Sequence, residues 1–207
     1  MQISSLVRKG KKVIVEFYSD DSASIRYETA VNFGLRKNDE LSDSDFEKIL
    51  EYDELNLIKE NAFRYLNLRP HSMFELRTKL RQKNYPKEII DKVIQDLSGQ
   101  GYLNDESFAI KFLEEKLFRK KEGLNIIKSK LIKKGINRNI IDSVIIKYSG
   151  SEINYENAFK SAKKKLDFLS VKNLDKQKLK QKIYTHLVSR GYDVEYFHKI
   201  FDELGLN

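Results

Sequence analysis

Three stretches of this 207-residue chain lie on one another without a gap: FELRTKLRQKNYPKEIIDKVIQDL (74–97), NIIKSKLIKKGINRNIIDSVIIKY (125–148) and QKIYTHLVSRGYDVEYFHKIFDEL (181–204). Leu80, Leu131 and Leu187 align, and five residues later come Tyr85, Ile136 and Tyr192. Just before these stand Asn84, Gly135 and Gly191. Asn and Gly most readily take a positive φ, so each copy leaves a helix through the same left-handed turn. An apolar ladder then repeats in register as Ile89/Ile140/Tyr196, Ile90/Ile141/Phe197, Val93/Val144/Ile200, Ile94/Ile145/Phe201 and Leu97/Tyr148/Leu204. Self-similarity of this kind marks a repeat architecture, in which each unit buries its apolar face against its neighbours.

Each copy is preceded by a further helical pattern: the end of a long segment through Ala62, then Asp105–Lys120, then Tyr155–Leu169. The starts are well marked. Asn104 or Asp105 caps the second, Ser72 with Glu75 forms a capping box, and Pro86 suits a first helical position. The unit is therefore three helices, resembling a helix-turn-helix module. The extra length between copies falls in RKKEG (119–123) and SVKNLDK (170–176), which reads as exposed loop.

Ahead of the repeats, Val13, Val15 and Phe17 alternate with polar residues, the period of a strand. Ile3–Val7 and Ser24–Tyr27 would pair with it, and a short helix over Glu28–Phe33 stops at Gly34. From Ser42 the apolar residues keep helical spacing for about 25 residues up to Pro70. The predicted fold is mainly α: a small N-terminal β meander, then three tandem three-helix repeats in an elongated, curved array. The expected boundaries are 1–41 for the meander and short helix, 42–103 for the long helix plus repeat one, 104–150 for repeat two and 151–207 for repeat three.

Charge is distributed unevenly. Residues 1–60 carry 9 basic and 13 acidic residues, net −4, and residues 61–207 carry 30 and 18, net +12. A lysine-rich genome bias would spread evenly; this excess gathers on the second helix of each unit. There it is carried by Arg77, Lys79, Arg81 and Lys83, then Lys128, Lys130, Lys133 and Lys134, then Lys178 and Lys182 with their lysine neighbours. Stacked on one side, these helices would form a positive stripe suited to a phosphate backbone or an acidic protein groove. The 23 Tyr and Phe residues fall mostly on the apolar ladders, so no aromatic platform for base stacking is expected; Tyr18 and Tyr27 in the meander are left open.

Catalytic hardware is sparse. The chain has no cysteine and three histidines, His71, His186 and His198, none paired at metal-ligand spacing. His71, beside Pro70, is expected at a cap or the surface. No phosphate loop, dinucleotide fingerprint or nucleophile elbow occurs. No apolar run reaches membrane length. These exclusions point to a cytoplasmic, non-enzymatic protein with no cofactor and no metal; a monomer is what a ligand for a non-closing groove would be.

The stretch 60–109 resembles the RecX family of bacterial recombination regulators. It matches through Ala62, Tyr65 and Leu66; Arg69, Pro70 and Ser72; Glu75 and Leu76; and Gly101, Tyr102, Leu103, Asp105, Phe108 and Ala109. Lys134-Gly135-Ile136 is similar to the family's lysine–glycine–isoleucine turn, and 31–46 to its leading region. The chain departs at Asn84, where glycine is common, and in its lysine-rich third repeat. The resemblance implies a protein that lodges in the groove of the RecA–single-stranded DNA filament, inhibits RecA's ATPase and strand exchange, modulates recombination and the SOS response, and binds single- and double-stranded DNA. A sequence-nonspecific DNA-binding module and a helical protein scaffold are the competing classes.

Overall fold

The computed structural model describes residues 1–171 and 174–206. Lys172 and Asn173, inside the expected loop 170–176, and the terminal Asn207 lie outside the described residues. Helices make up most of the chain, with one three-stranded antiparallel sheet at its start.

The sheet runs β1 (Ile3–Lys9), β2 (Lys12–Phe17) and β3 (Ser22–Arg26), paired in that order with Leu6 opposite Val15 and Val13 opposite Ile25. The alternation of β2 puts Val13, Val15 and Phe17 on one face. There they are buried with Ile3, Ile25, Ala30 and Ile49. Three strands with one covered face are about the minimum for a stable sheet. Two helices supply the cover: α1 (Tyr27–Asn32), closed by Gly34 at φ 62°, and α2 (Asp43–Leu68), whose Ser42 Oγ accepts from the Asp45 N–H at 3.1 Å. Asp53 on α2 accepts from the Arg26 backbone N–H at 3.0 Å, from Arg26 Nε at 3.1 Å and from Thr29 Oγ1 at 2.5 Å. That half-buried carboxylate ties the last strand to the long helix.

The first sequence copy continues from α2 into α3 (Met73–Arg81) and α4 (Lys87–Gly99). The second holds α5 (Asp105–Glu114), extended by a π-helical segment over Glu115–Arg119, then α6 (Leu124–Lys133) and α7 (Arg138–Ser149). The third holds α8 (Glu152–Ser170), α9 (Lys176–Ser189), a 3₁₀ turn at Val194–Tyr196 and α10 (Phe197–Glu203). The three anticipated turns all have positive φ: 59° at Asn84, 73° at Gly135 and 77° at Gly191. In the last two, the Ile136 and Tyr192 N–H groups reach back to the Leu131 and Leu187 carbonyls at 3.2 Å, which closes the helix end.

Contacts divide the chain into two compact units, Met1–Arg69 with Leu76–Gln100, and Pro70–Glu75 with Gly101–Asn207. In the first, Ile58, Ala62, Leu76, Leu80, Ile90, Val93, Ile94 and Leu97 are buried beyond the sheet core. The second contains two apolar clusters, one around Phe108, Leu113, Ile127, Leu131 and Val144, the other around Ala162, Ile183, Leu187, Phe197 and Ile200.

Within that second unit, the start of a second helix twice abuts a glycine turn. Ser72 Oγ donates to the Lys134 carbonyl at 2.7 Å, and Phe74 lies where a Cβ on Gly135 would go. Correspondingly, the Gly123 N–H donates to the Arg190 carbonyl at 3.0 Å and the Asn125 N–H to the Gly191 carbonyl at 3.1 Å. A side chain on Gly123 would collide with the Gly191 backbone, and one on Gly191 with the backbone and side chain of Ile126. Asn84 is exposed, so its turn needs only the positive φ, which Asn tolerates.

Three local expectations change. Residues 119–121 are exposed, but Gly123 in the same loop is buried because it forms this backbone-to-backbone joint. His71 is 5% exposed, enclosed as residues 70–75 pack into the second unit. Pro86 precedes the first helical residue of α4 by one position, its carbonyl accepting from the Ile90 N–H at 3.0 Å. The capping box is as anticipated, with Glu75 N–H to Ser72 Oγ at 3.1 Å and Ser72 N–H to Glu75 Oε2 at 3.4 Å. Asn104, rather than Asp105, caps α5, because Asp105 is engaged by the Met73 N–H at 2.9 Å.

Candidate nucleic-acid interface

The cations singled out by sequence fall into two groups once their neighbours are known. On α3, Arg77 Nε donates to Asp91 Oδ1 at 2.8 Å, and this hydrogen bond holds the Asp91 carboxyl below the usual range. Lys79 sits 4.8 Å from the Tyr65 ring centre. Arg81 and Lys83, at the helix end, are exposed. Among the described residues neither has a carboxylate at ion-pair distance.

On α6, three of the four lysines are engaged. Lys128 pairs with Asp142, Lys130 with Glu122 and Lys134 with Glu75, each at 2.6 Å. The last pair is half-buried, and Lys134 also lies 5.2 Å and 5.7 Å from the ring centres of Phe112 and Phe108. It therefore fixes the joint beside Gly135. Lys133 is exposed and, among the described residues, unpaired.

On α9 the pattern is different. Residues 176–190 contain no acid, and among the described residues Lys178 pairs only with Asp175, the helix cap, at 3.1 Å in an exposed geometry. Those two contacts to Lys178 lower the Asp175 pKa, the backbone hydrogen bond first. Lys182 is exposed and, among the described residues, unpaired. Lys178 and Lys182 line an open groove between α8 and α9, about 700 Å³ in volume, whose other walls include Lys165, Phe168, Leu169 and His186.

The ladder reading placed most of the aromatic residues in the core; Tyr102, Phe118 and Tyr184 are exposed instead, and so is Phe168. Its side chain is 61% exposed at the groove while the next residue, Leu169, is 4% exposed. Lys165 Nζ lies 5.4 Å from the Phe168 ring centre. His186 faces Ser161 Oγ at 3.0 Å, and partial burial together with the Lys165 and Arg190 charges lowers its pKa. Lys165, Phe168 and His186 are absent from the sequence-derived set. Their signal was the run Lys163–Lys165 with Phe168 three residues further along one helix. Tyr18 bonds Asn38 Oδ1 at 3.2 Å, and Tyr27 lies under the Arg8 guanidinium at 3.9 Å, so both meander tyrosines already have local partners.

Among the described residues, no group of three His, Asp or Glu side chains gathers where it could hold a metal ion, and no helix is long and apolar enough to cross a membrane. The chemistry available at this surface is attraction of anions by ammonium groups, with one exposed ring beside them.

Comparison with known proteins gives a consistent result. The family model for the first three-helix domain of RecX matches residues 59–97. The chain is 32% identical over 200 residues to the regulatory protein RecX of Clostridium acetobutylicum, spanning 95% of this chain and 92% of that one. It is 31% identical over 195 residues to the RecX of Clostridium perfringens strain 13, covering 93% and 91%. Among solved structures, a crystal structure of regulatory protein RecX superposes with a TM-score of 0.78 at 21% identity, covering 97% and 98% of the two chains. RecX from Lactobacillus salivarius superposes with a TM-score of 0.68 at 24% identity, covering 75% and 99%. These two likenesses bear on the fold.

Proposed function

The chain belongs to the RecX family of regulatory proteins, and from that premise we propose that it lodges in the groove of the RecA–single-stranded DNA filament, limits filament growth and lowers RecA's ATPase and strand exchange. The observation that carries this reading is similarity to a RecX protein along 95% of the chain. The protein acts in the cytoplasm, as a monomer, by binding rather than by catalysis, and so modulates recombination and the SOS response. It contacts both RecA and DNA, single- or double-stranded.

The exposed cations divide the binding work. Arg81, Lys83, Lys133, Lys178 and Lys182 make the contacts to the filament, with Lys79 and the ion-paired Arg77, Lys128 and Lys130 adding to the field. Lys134 holds the fold in place. Contacts spread over the three sequence copies add through effective concentration, so each need be only weak.

The test is RecA's ATPase on single-stranded DNA with this protein at well below one copy per RecA. Inhibition at concentrations far under those that saturate naked DNA is expected. Inhibition appearing only as naked DNA saturates, with a steep salt dependence, would indicate a plain DNA-binding module. No inhibition and no salt-sensitive DNA binding would indicate a protein scaffold.

A further inference from the structure

We infer that the groove between α8 and α9 is a subsite for single-stranded nucleic acid, with phosphates held by Lys165, Lys178 and Lys182 and one base stacked on Phe168. The inference deepens the reading above and rests on it for the choice of nucleic acid as the anion.

Four observations converge. First, among the described residues the charge is one-sided: three ammonium groups and His186 line the groove, and no carboxylate does. Asp175, the cap of α9, meets Lys178 in an exposed pair that an incoming phosphate readily replaces. Second, the groove's volume of about 700 Å³ suits one or two nucleotide units and is far larger than an isolated anion needs. Third, Phe168 presents its ring here at 61% exposure, while the neighbouring Leu169 is buried in the core. Fourth, Lys165 lies over that ring, so a base and its phosphate find a π-face and a cation a few ångströms apart.

The exposed ring also selects among polyanions. In a duplex both faces of every base are already stacked, and a side chain at the backbone meets only phosphate and sugar. A single strand leaves base faces available, which is the arrangement that aromatic platforms exploit. An acidic peptide would satisfy the lysines and gain little from the ring.

The full-length protein is titrated into a short fluorescein-labelled oligodeoxythymidylate and followed by anisotropy. Phe168→Ala is expected to weaken binding about tenfold, Phe168→Tyr to restore it, and an abasic oligomer to bind the unaltered protein as weakly as the thymidine oligomer binds Phe168→Ala. A duplex of the same length should bind both proteins alike. Lys182→Gln should lower the salt slope by about one. Phe168 is exposed, and equal melting temperatures confirm that the variants fold. Unchanged oligothymidylate binding in Phe168→Ala would overturn the inference. So would equal binding of abasic and thymidine oligomers, or a polyglutamate peptide binding tightly in a Phe168-dependent way. RecA ATPase inhibition measured in parallel separates the two readings. Inhibition with no dependence of DNA binding on Phe168 removes the stacking subsite alone. Phe168-dependent DNA binding without inhibition removes the RecA reading alone.

Discussion

Helices α6 and α9 occupy the same place in the second and third sequence copies and carry similar charge, yet they offer different surfaces. On α6, Lys128, Lys130 and Lys134 are each held by a carboxylate at 2.6 Å. On α9, Lys178 has one exposed partner and Lys182 none among the described residues. The acids of the adjoining helix α10 have partners of their own. Asp202 is paired with His198 at 2.8 Å, and Glu203 accepts from Tyr155 Oη at 2.6 Å. That hydrogen bond, after burial, helps push the Tyr155 pKa up to about 12. Net charge per helix therefore measures composition, whereas binding capacity depends on which cations remain unmatched.

The comparison presumes that copies two and three are packed together through Gly123 and Gly191, and breaking that joint has the largest expected effect. Gly191→Ala places a Cβ against Ile126 at a residue with φ 77°. A loss of about 3 kcal/mol in denaturant unfolding is expected, against about 0.5 kcal/mol or less for Asn84→Gly in the open turn. Equal effects at the two turns would show that the joint does not depend on close backbone approach.

Next in size is the contrast between a structural and a binding lysine. Lys134→Gln removes the ion pair to the half-buried Glu75 and should cost about 2 kcal/mol. Lys182→Gln should change stability by less than about 0.5 kcal/mol while weakening polyanion binding. Paired unfolding and anisotropy curves check both halves.

Charge reversal sharpens the comparison further. Lys182→Glu should weaken oligonucleotide binding about tenfold, and Lys128→Gln by less than about twofold because its charge is already matched by Asp142. Similar losses at both positions would mean that the α6 ion pairs open on binding.

The smallest effect is a pH dependence at His186. Its pKa lies below the ordinary histidine value of 6.5, chiefly because of burial and then because of Lys165 and Arg190. As pH falls past 6.5 the unfolded chain takes up this proton first, so His186's stabilising contribution is full above 6.5 and is lost progressively below it. A His186→Gln protein should show a flatter stability profile between pH 7 and pH 5. A phosphate in the groove favours the protonated ring, so oligonucleotide binding should tighten over the same interval in the unaltered protein only.

Much of the fold was legible because helical periodicity and turn chemistry are local. Asn84, Gly135 and Gly191 announce their turns, and Ser72 with Glu75 announces a helix start. Why glycine stands at 135 and 191 while asparagine suffices at 84 was not legible. The answer lies in Phe74 and Ile126, each more than 50 residues away in the chain. The same holds for charge: Lys134 and Glu75 are 59 residues apart, and no spacing rule pairs them. Phe168 was hidden for the opposite reason. Its neighbours Leu166 and Leu169 belong to the core, and one ring adjacent to an apolar ladder looks like another rung until its exposure is known.

The most direct measurement is RecA ATPase inhibition by two double variants, Lys178→Gln/Lys182→Gln on α9 and Lys128→Gln/Lys130→Gln on α6, titrated beside the unaltered protein. The expected result is a clear shift to higher concentration for the α9 variant and near-normal inhibition by the α6 variant. Equal potency of all three proteins, or the larger loss on α6, would contradict the assignment of the filament contacts to the unmatched cations.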